Sequence, residues 1–188
     1  MDRSFGGFAG SERAAPPAQL EIKDDAASGP GLLMDGYYFR VIGLTGRMYV
    51  KEVRYGGENV TFAPLRVGSA PAGTSLHVAA GHDGGVLRVQ VAGPDGTFVP
   101  HATVMVLPGS AVSDAELAGR LVTGQADQHG EYVSGALMPG KYLVLATSSP
   151  VAVQNPEFLA KVRAVRSQAR EVEVPPNGTV ALKVETTN

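Results

Sequence analysis

The sequence predicts an all-β protein: an immunoglobulin-like β-sandwich of about seven strands with one short helix, preceded by a smaller β unit. Three observations carry that expectation. The 24 Gly and 13 Pro of the 188 residues cut the apolar residues into short, Val-rich runs. Those runs alternate apolar with polar residues, as in Val86-Leu87-Arg88-Val89-Gln90-Val91, which is the period of a half-buried strand. Turn signals with a mechanism separate them, among them Gly93-Pro94-Asp95-Gly96, Pro139-Gly140 and Asn177-Gly178, where Pro presets φ and Gly accepts a positive one.

Residues 1–30 are expected to form a disordered or extended tail. Their first part is Gly, Ala, Ser and Pro with few branched apolar residues, too little to offset the entropy of ordering. Leu20-Glu21-Ile22-Lys23 has the alternation of an edge strand, and Asp24 to Pro30 breaks it. Residues 31–85 are expected as the small β unit. Tyr37–Ile42 and Met48–Tyr55 are two strands joined by Gly43-Leu44-Thr45-Gly46, a link of hairpin length, and Gly56-Gly57-Glu58-Asn59 makes the next turn. Val60-Thr61-Phe62 and Leu65-Arg66-Val67 are short and interrupted by Pro64, which suits an edge. After the strand Ser75–Ala80, the polar, Gly-rich Gly81-His82-Asp83-Gly84-Gly85 marks the boundary.

Residues 86–188 are expected as the sandwich. Val86–Val91 and Ala102–Leu107 are its first strands. Ser113 with Glu116, flanked by Val112 and Leu117, has the form of a capping box with a hydrophobic staple and predicts one helical turn. Gly124–Val133 and Met138–Ala146 then read as strand, turn, strand, turn, strand. Asn155 as cap, Pro156 at the first helical position and Glu157 predict a longer helix, whose negative end takes up the basic cluster Lys161, Arg163, Arg166 and Arg170. Arg170–Val174, Pro175-Pro176-Asn177-Gly178 and Thr179–Glu185 are expected as a closing hairpin.

The string Val99-Pro100-His101-Ala102-Thr103-Val104, Ala126-Asp127-Gln128-His129-Gly130-Glu131-Tyr132 and Leu137-Met138-Pro139-Gly140-Lys141-Tyr142 resembles the carboxypeptidase regulatory-like domain. That resemblance implies a transthyretin-like sandwich, related to carbohydrate-binding-like folds and to the B-type repeats of bacterial adhesins. The segment from Val50 through Val78 is similar to the C-terminal half of another such module in multi-domain exported bacterial proteins. A self-formed Lys–Asn isopeptide bond occurs in the adhesin relatives, so Lys51, Lys141 and Lys183 are the lysines to examine, but no strand here carries an identifiable buried acid and the bond is not expected. Such a bond needs the amine buried beside an acid.

Several chemistries are excluded or disfavoured by composition. A net charge of -2 gives no electrostatic case for nucleic acid. With no Cys there is no disulfide, thiolate nucleophile or Cys-ligated metal. His77, His82, His101 and His129 have no metal-ligand spacing, although the loop pairs His82-Asp83 and Asp127/His129 could meet in space. Asp127-Gln128-His129-Gly130 is too short for a calcium loop, and no Gly-x-Ser-x-Gly occurs. Met1–Phe8 lacks the basic and apolar regions of a signal peptide, so an extracellular, cell-surface or periplasmic location would require this to be part of a longer exported chain.

The expectation is therefore a non-catalytic structural or interaction module of an exported or cell-surface bacterial protein, with no catalytic residues, cofactor or metal. Its partners would be domains of the same or neighbouring chains, including a strand-exchanged homo-oligomer. The alternative is a carbohydrate-binding accessory module. Glycan or partner contact would then fall to Tyr37, Tyr38, Tyr49 and Tyr55, since strand alternation places some of these rings on an outer sheet face where they can stack on sugars.

Overall fold

The computed structural model describes residues 4–9, 19–23, 26–28, 36–41, 43–66, 74–110, 114–148, 164 and 166–187. The chain divides into two compact units, Met1–Gly81 and His82–Asn188.

The first unit contains β1 (Ser4–Ala9), β2 (Gln19–Lys23), β3 (Ala26–Ser28), β4 (Gly36–Val41), β5 (Tyr49–Tyr55), β6 (Glu58–Asn59), β7 (Leu65–Arg66) and β8 (Leu76–Gly81). They form a five-stranded sheet, β3-β2-β1-β4-β7, and a three-stranded one, β6-β5-β8. Two expectations change here. The stretch 1–30, read as a tail, contributes β1 to β3. β1 is laddered on both edges, to β2 and to β4. That pairing satisfies the backbone groups without the branched apolar residues the composition lacks. The hairpin expected between Tyr37–Ile42 and Met48–Tyr55 does not form, because β4 and β5 belong to different sheets. Gly43 and Gly46, both at positive φ, turn the chain from one sheet to the other. The two-residue hairpin lies one step later. Gly56 and Gly57, at φ 58° and 88°, make the doubly positive turn that matches strand twist and joins β5 to β6. Among the described residues of this unit, Val53, Val60 and Leu65 form a buried cluster, with Val50, Tyr55 and Leu76 packed against it.

The second unit contains β9 (Val86–Ala92), β10 (Thr103–Pro108), α1 (Asp114–Arg120), β11 (Val122–Gln125), β12 (Glu131–Val133), β13 (Gly140–Thr147), a 3-10 turn (Arg166–Gln168), β14 (Arg170–Val174) and β15 (Thr179–Thr187). The short helix falls where the capping-box pattern puts it. The longer helix expected from Asn155 lies outside the described residues.

One layer is β15-β9-β12 and the other is β11-β10-β13-β14, joined where β13 and β15 run parallel at Ala146↔Thr186 and Thr147↔Thr187. The inward positions of both layers make one core: Leu87, Val89 and Val91 from β9 face Val104, Val106, Val144 and Val174, with Val184 from β15 closing it. Each such side chain stabilises the fold by roughly 1.5–3 kcal/mol through burial. β10 is buried at every position because its outer face is covered too. Met105, Leu107 and Leu145 pack there against Leu117 of α1.

The closing hairpin is a further correction. β14 pairs antiparallel with β13, whereas β15 runs parallel to β9 from Thr179↔Val86 to Glu185↔Ala92. Pro175–Gly178 is a turn, with the Gly178 N–H donating to the Pro175 carbonyl at 3.2 Å. It carries the chain from one layer to the other.

Candidate functional site

The candidate polar residues of the second unit gather at the end of the sandwich where β9 finishes. β9 runs into Gly93-Pro94-Asp95-Gly96, and the Asp95 carboxylate accepts from the Thr97 N–H at 3.0 Å and the Thr97 hydroxyl at 2.6 Å. Across from it, the Gly130 carbonyl accepts from the Val91 N–H at 2.8 Å, which docks the Asp127–Gly130 loop on β9. The Asp127 carboxylate Oδ1 accepts from the N–H of His129 at 2.8 Å and of Glu131 at 2.9 Å. The Asp127 N–H donates to the Glu131 carbonyl at 2.7 Å. A short Asp side chain is the group that can close such a loop on its own backbone.

These bonds set the electrostatics. The N–H groups of Glu131 and then His129 hold the Asp127 carboxyl below its ordinary range, with His129 and His101 adding an attractive field. Thr97 does the same for Asp95. His101 and His129 are exposed, and His101 sits at a positive φ of 58°. Phe98, 58% exposed, stands beside Gly130 on the same surface.

The pairing of His82-Asp83 with Asp127/His129 does not occur. His82 precedes the start of β9, whereas Gly130 bonds to Val91 near its end, so a strand length of roughly 20 Å separates them. Among the described residues no three His, Asp or Glu side chains converge as metal ligands. Lys51, Lys141 and Lys183 are all exposed, and Lys141 pairs with Glu171 at 3.3 Å, so none offers the desolvated amine an isopeptide bond requires.

The four tyrosines singled out as contacts are distributed over two sheets. Tyr37 and Tyr38 lie in β4, where Tyr37 is laddered with Ala9 and Leu65 and Tyr38 with Phe8. Tyr49 and Tyr55 lie at opposite ends of β5. The Tyr49 ring covers Gly81 on β8, so closely that a Cβ there would collide with it. Tyr55 packs on the Val53 cluster. Tyr49 and Tyr55 are both half-buried.

Three residues with larger structural roles are less visible in the sequence. The Tyr142 hydroxyl donates to the Met138 carbonyl, four residues back across Pro139-Gly140, at 2.6 Å. That is the tyrosine corner of Greek-key sandwiches. Burial raises the Tyr142 pKa, and the nearby Arg120 partly offsets this. Tyr132, raised by burial alone, lies over Gly124, where any Cβ would meet its ring. Ser134 is buried, and its hydroxyl accepts from the Leu87 N–H at 2.9 Å and donates to the Gly135 carbonyl at 2.7 Å, filling a gap in the ladder beside β12.

No family model matches the chain. No curated protein matches it either. Among solved structures it is similar to the Bacillus anthracis TIE protein, at TM-score 0.35 and 12% identity over all of this chain and 30% of that one. It is also similar to BcpA, the major pilin subunit of Bacillus cereus, at TM-score 0.37 and 12% identity over 98% of this chain and 94% of that one. A third is a DUF3823 family protein from Bacteroides uniformis ATCC 8492, at TM-score 0.30 and 13% identity over 54% of this chain and 42% of that one. The chain thus spans less than a third of the TIE protein's length.

Proposed function

We propose that this chain is a non-catalytic structural or interaction module of an exported or cell-surface protein, with its second unit a carboxypeptidase regulatory-like sandwich. The observation that carries the reading is the use made of Asp127. Its carboxylate is engaged by two backbone N–H groups of its own loop, so the most reactive-looking string in the sequence serves to build a turn. Asp95 is engaged in the same way. The partner surface of such a module is a neighbouring domain, and β8 is suited to it. Val78 is 38% exposed although its ladder partner Val53 on β5 is buried, so apolar surface continues past the unit's own cover.

A glycan-binding reading rests on Tyr49, which is half-buried, since an aromatic ring with some exposure can stack on a sugar. Glycan-array and polysaccharide pull-down measurements separate the two. The module reading expects no retained glycan with the full chain; retention that disappears in Tyr49→Ala or Tyr38→Ala would replace it with the accessory-module reading. Surface proteolysis of intact cells is the companion measurement. Protection of the chain in intact cells and cleavage only after lysis would contradict a surface location, and hydrolytic turnover that survives repurification would contradict the absence of catalysis.

A further inference from the structure

In the second unit the first and last strands are neighbours and run the same way. β9 and β15 pair in parallel through seven consecutive positions, from Val86↔Thr179 to Ala92↔Glu185. A load applied to the two ends of this unit therefore enters β9 at its N-terminal end and leaves β15 at its C-terminal end. It slides one strand along the other, and every hydrogen bond between them is loaded at once. Peeling the same pair from one end would load its bonds one at a time.

Both points of entry are anchored. Ahead of β9, the Asp83 carbonyl accepts from the Asn177 N–H at 2.8 Å. Gly85 exchanges two bonds with Leu137 at 3.0 and 2.9 Å, and the Val86 N–H donates to the Gly178 carbonyl at 2.9 Å. At the far end β15 is also laddered with β13 at Thr186 and Thr187, and the Thr187 hydroxyl donates to the Ala146 carbonyl at 3.2 Å. The inner face of the pair is apolar. Leu87, Val89 and Val91 lie opposite Val180, Leu182 and Val184, so sliding must also drag buried side chains past one another in a close-packed core. No proline interrupts either strand.

We propose that the β9–β15 pair is a shear clamp, by which the second unit bears tension along its terminal strands. This rests on the structural-module reading and gives it a specific activity: holding length under pull. It is a property of kinetic resistance, set by the unfolding barrier in the direction of the load.

The test uses the absence of native Cys to choose where force enters the full-length chain. His82→Cys with Glu185→Cys loads the pair in shear. His82→Cys with Thr179→Cys pulls on the two neighbouring strand starts and peels it. All three positions are exposed, and attachment at position 82 leaves the first unit outside the load path. Equal melting temperatures of the two variants establish that folding is matched. In single-molecule pulling at one loading rate, the shear geometry is expected to rupture at several-fold higher force, releasing roughly 330 Å of chain at about 3.3–3.6 Å per residue. Equal rupture forces, or a weaker shear geometry, would overturn the clamp. That failure is separable from failure of the module reading: a chain that is weak in shear but exposed on intact cells remains a module, whereas a chain confined to the cytosol is not one, whatever force it bears.

Discussion

Tyr142 joins the core of the second unit through its ring, and its hydroxyl donates to the Met138 carbonyl across a Pro-Gly turn. Tyr142→Phe keeps the ring and removes the donor, and is expected to destabilise the chain by about 1–2 kcal/mol in chemical denaturation, through the acceptor left unpaired. Among the described residues, four groups carry a dependence on pH. Asp95 and Asp127 have folded pKa values below their ordinary ones, so the stability they contribute is present above about pH 4 and is lost as pH falls through the folded values. Tyr132 and Tyr142 have folded values above the ordinary one. Their contribution is present below about pH 10 and is lost as pH rises beyond it. Melting temperature against pH should therefore fall on both limbs. Asp127→Asn should flatten the acid limb and leave the alkaline one in place; an unchanged acid limb would mean that the loop bonds to Asp127 are absent in solution. At this scale the sequence was only partly legible. Asp-x-x-Gly and Pro-Gly-x-Tyr announce turns, but which oxygen receives which proton depends on β9 docking at Gly130, a contact between residues far apart in the chain.

At the scale of elements, β10 shows what helix α1 does. Val104 and Val106 face the core between the layers, whereas Met105 and Leu107 face outward and pack with Leu117, alongside Leu121 and Ala169. Leu145→Ala, at a fully buried position under that helix, should cost about 2–5 kcal/mol. Leu117→Ala should fall near about 2 kcal/mol, since a one-sided helix can settle into the gap. Equal losses would indicate that α1 is as fixed as the sheet it covers. Most strands were legible from period alone, because one wet face and one dry face leave an alternating trace. Their partners are harder to read, because at two places a turn signal between alternating runs stands where the chain changes sheet. For the second, the signal was in the sequence. In a hairpin through Pro175–Gly178, Val174 would oppose Thr179 and Val172 would oppose Ala181. That sets the inward positions of β14 against the outward ones of β15, since Val172 and Val174 are buried and Thr179 and Ala181 exposed. Directly opposed residues share a face, so the parity of the two strands forbids the pairing and sends them to different layers. The Asn-Gly turn signal fixes a change of direction and not a partner.

For the whole molecule, each of the two units has a buried cluster of its own. Among the described residues of the first, Val53, Val60 and Leu65 form a buried cluster, and in the second both layers contribute to one core. The division between them falls at Gly81, at the head of the Gly-rich polar stretch Gly81–Gly85. Closure of the second unit was not legible in the sequence, because parallel pairing of its first and last strands leaves no local trace. It arises only when every other edge position is assigned. Both the fold and the proposed clamp depend on that pairing, and disulfide trapping tests it most directly. In Arg88→Cys with Ala181→Cys, the cysteines occupy exposed ladder partners on β9 and β15, within the Cα separation a disulfide spans. In Glu173→Cys with Val180→Cys, they occupy positions that would be partners in a β14–β15 hairpin. Under mild oxidation the first variant should close to an intramolecular disulfide rapidly and completely while the second stays reduced. Rapid closure of the second with the first left reduced would contradict the parallel pair, and with it the clamp.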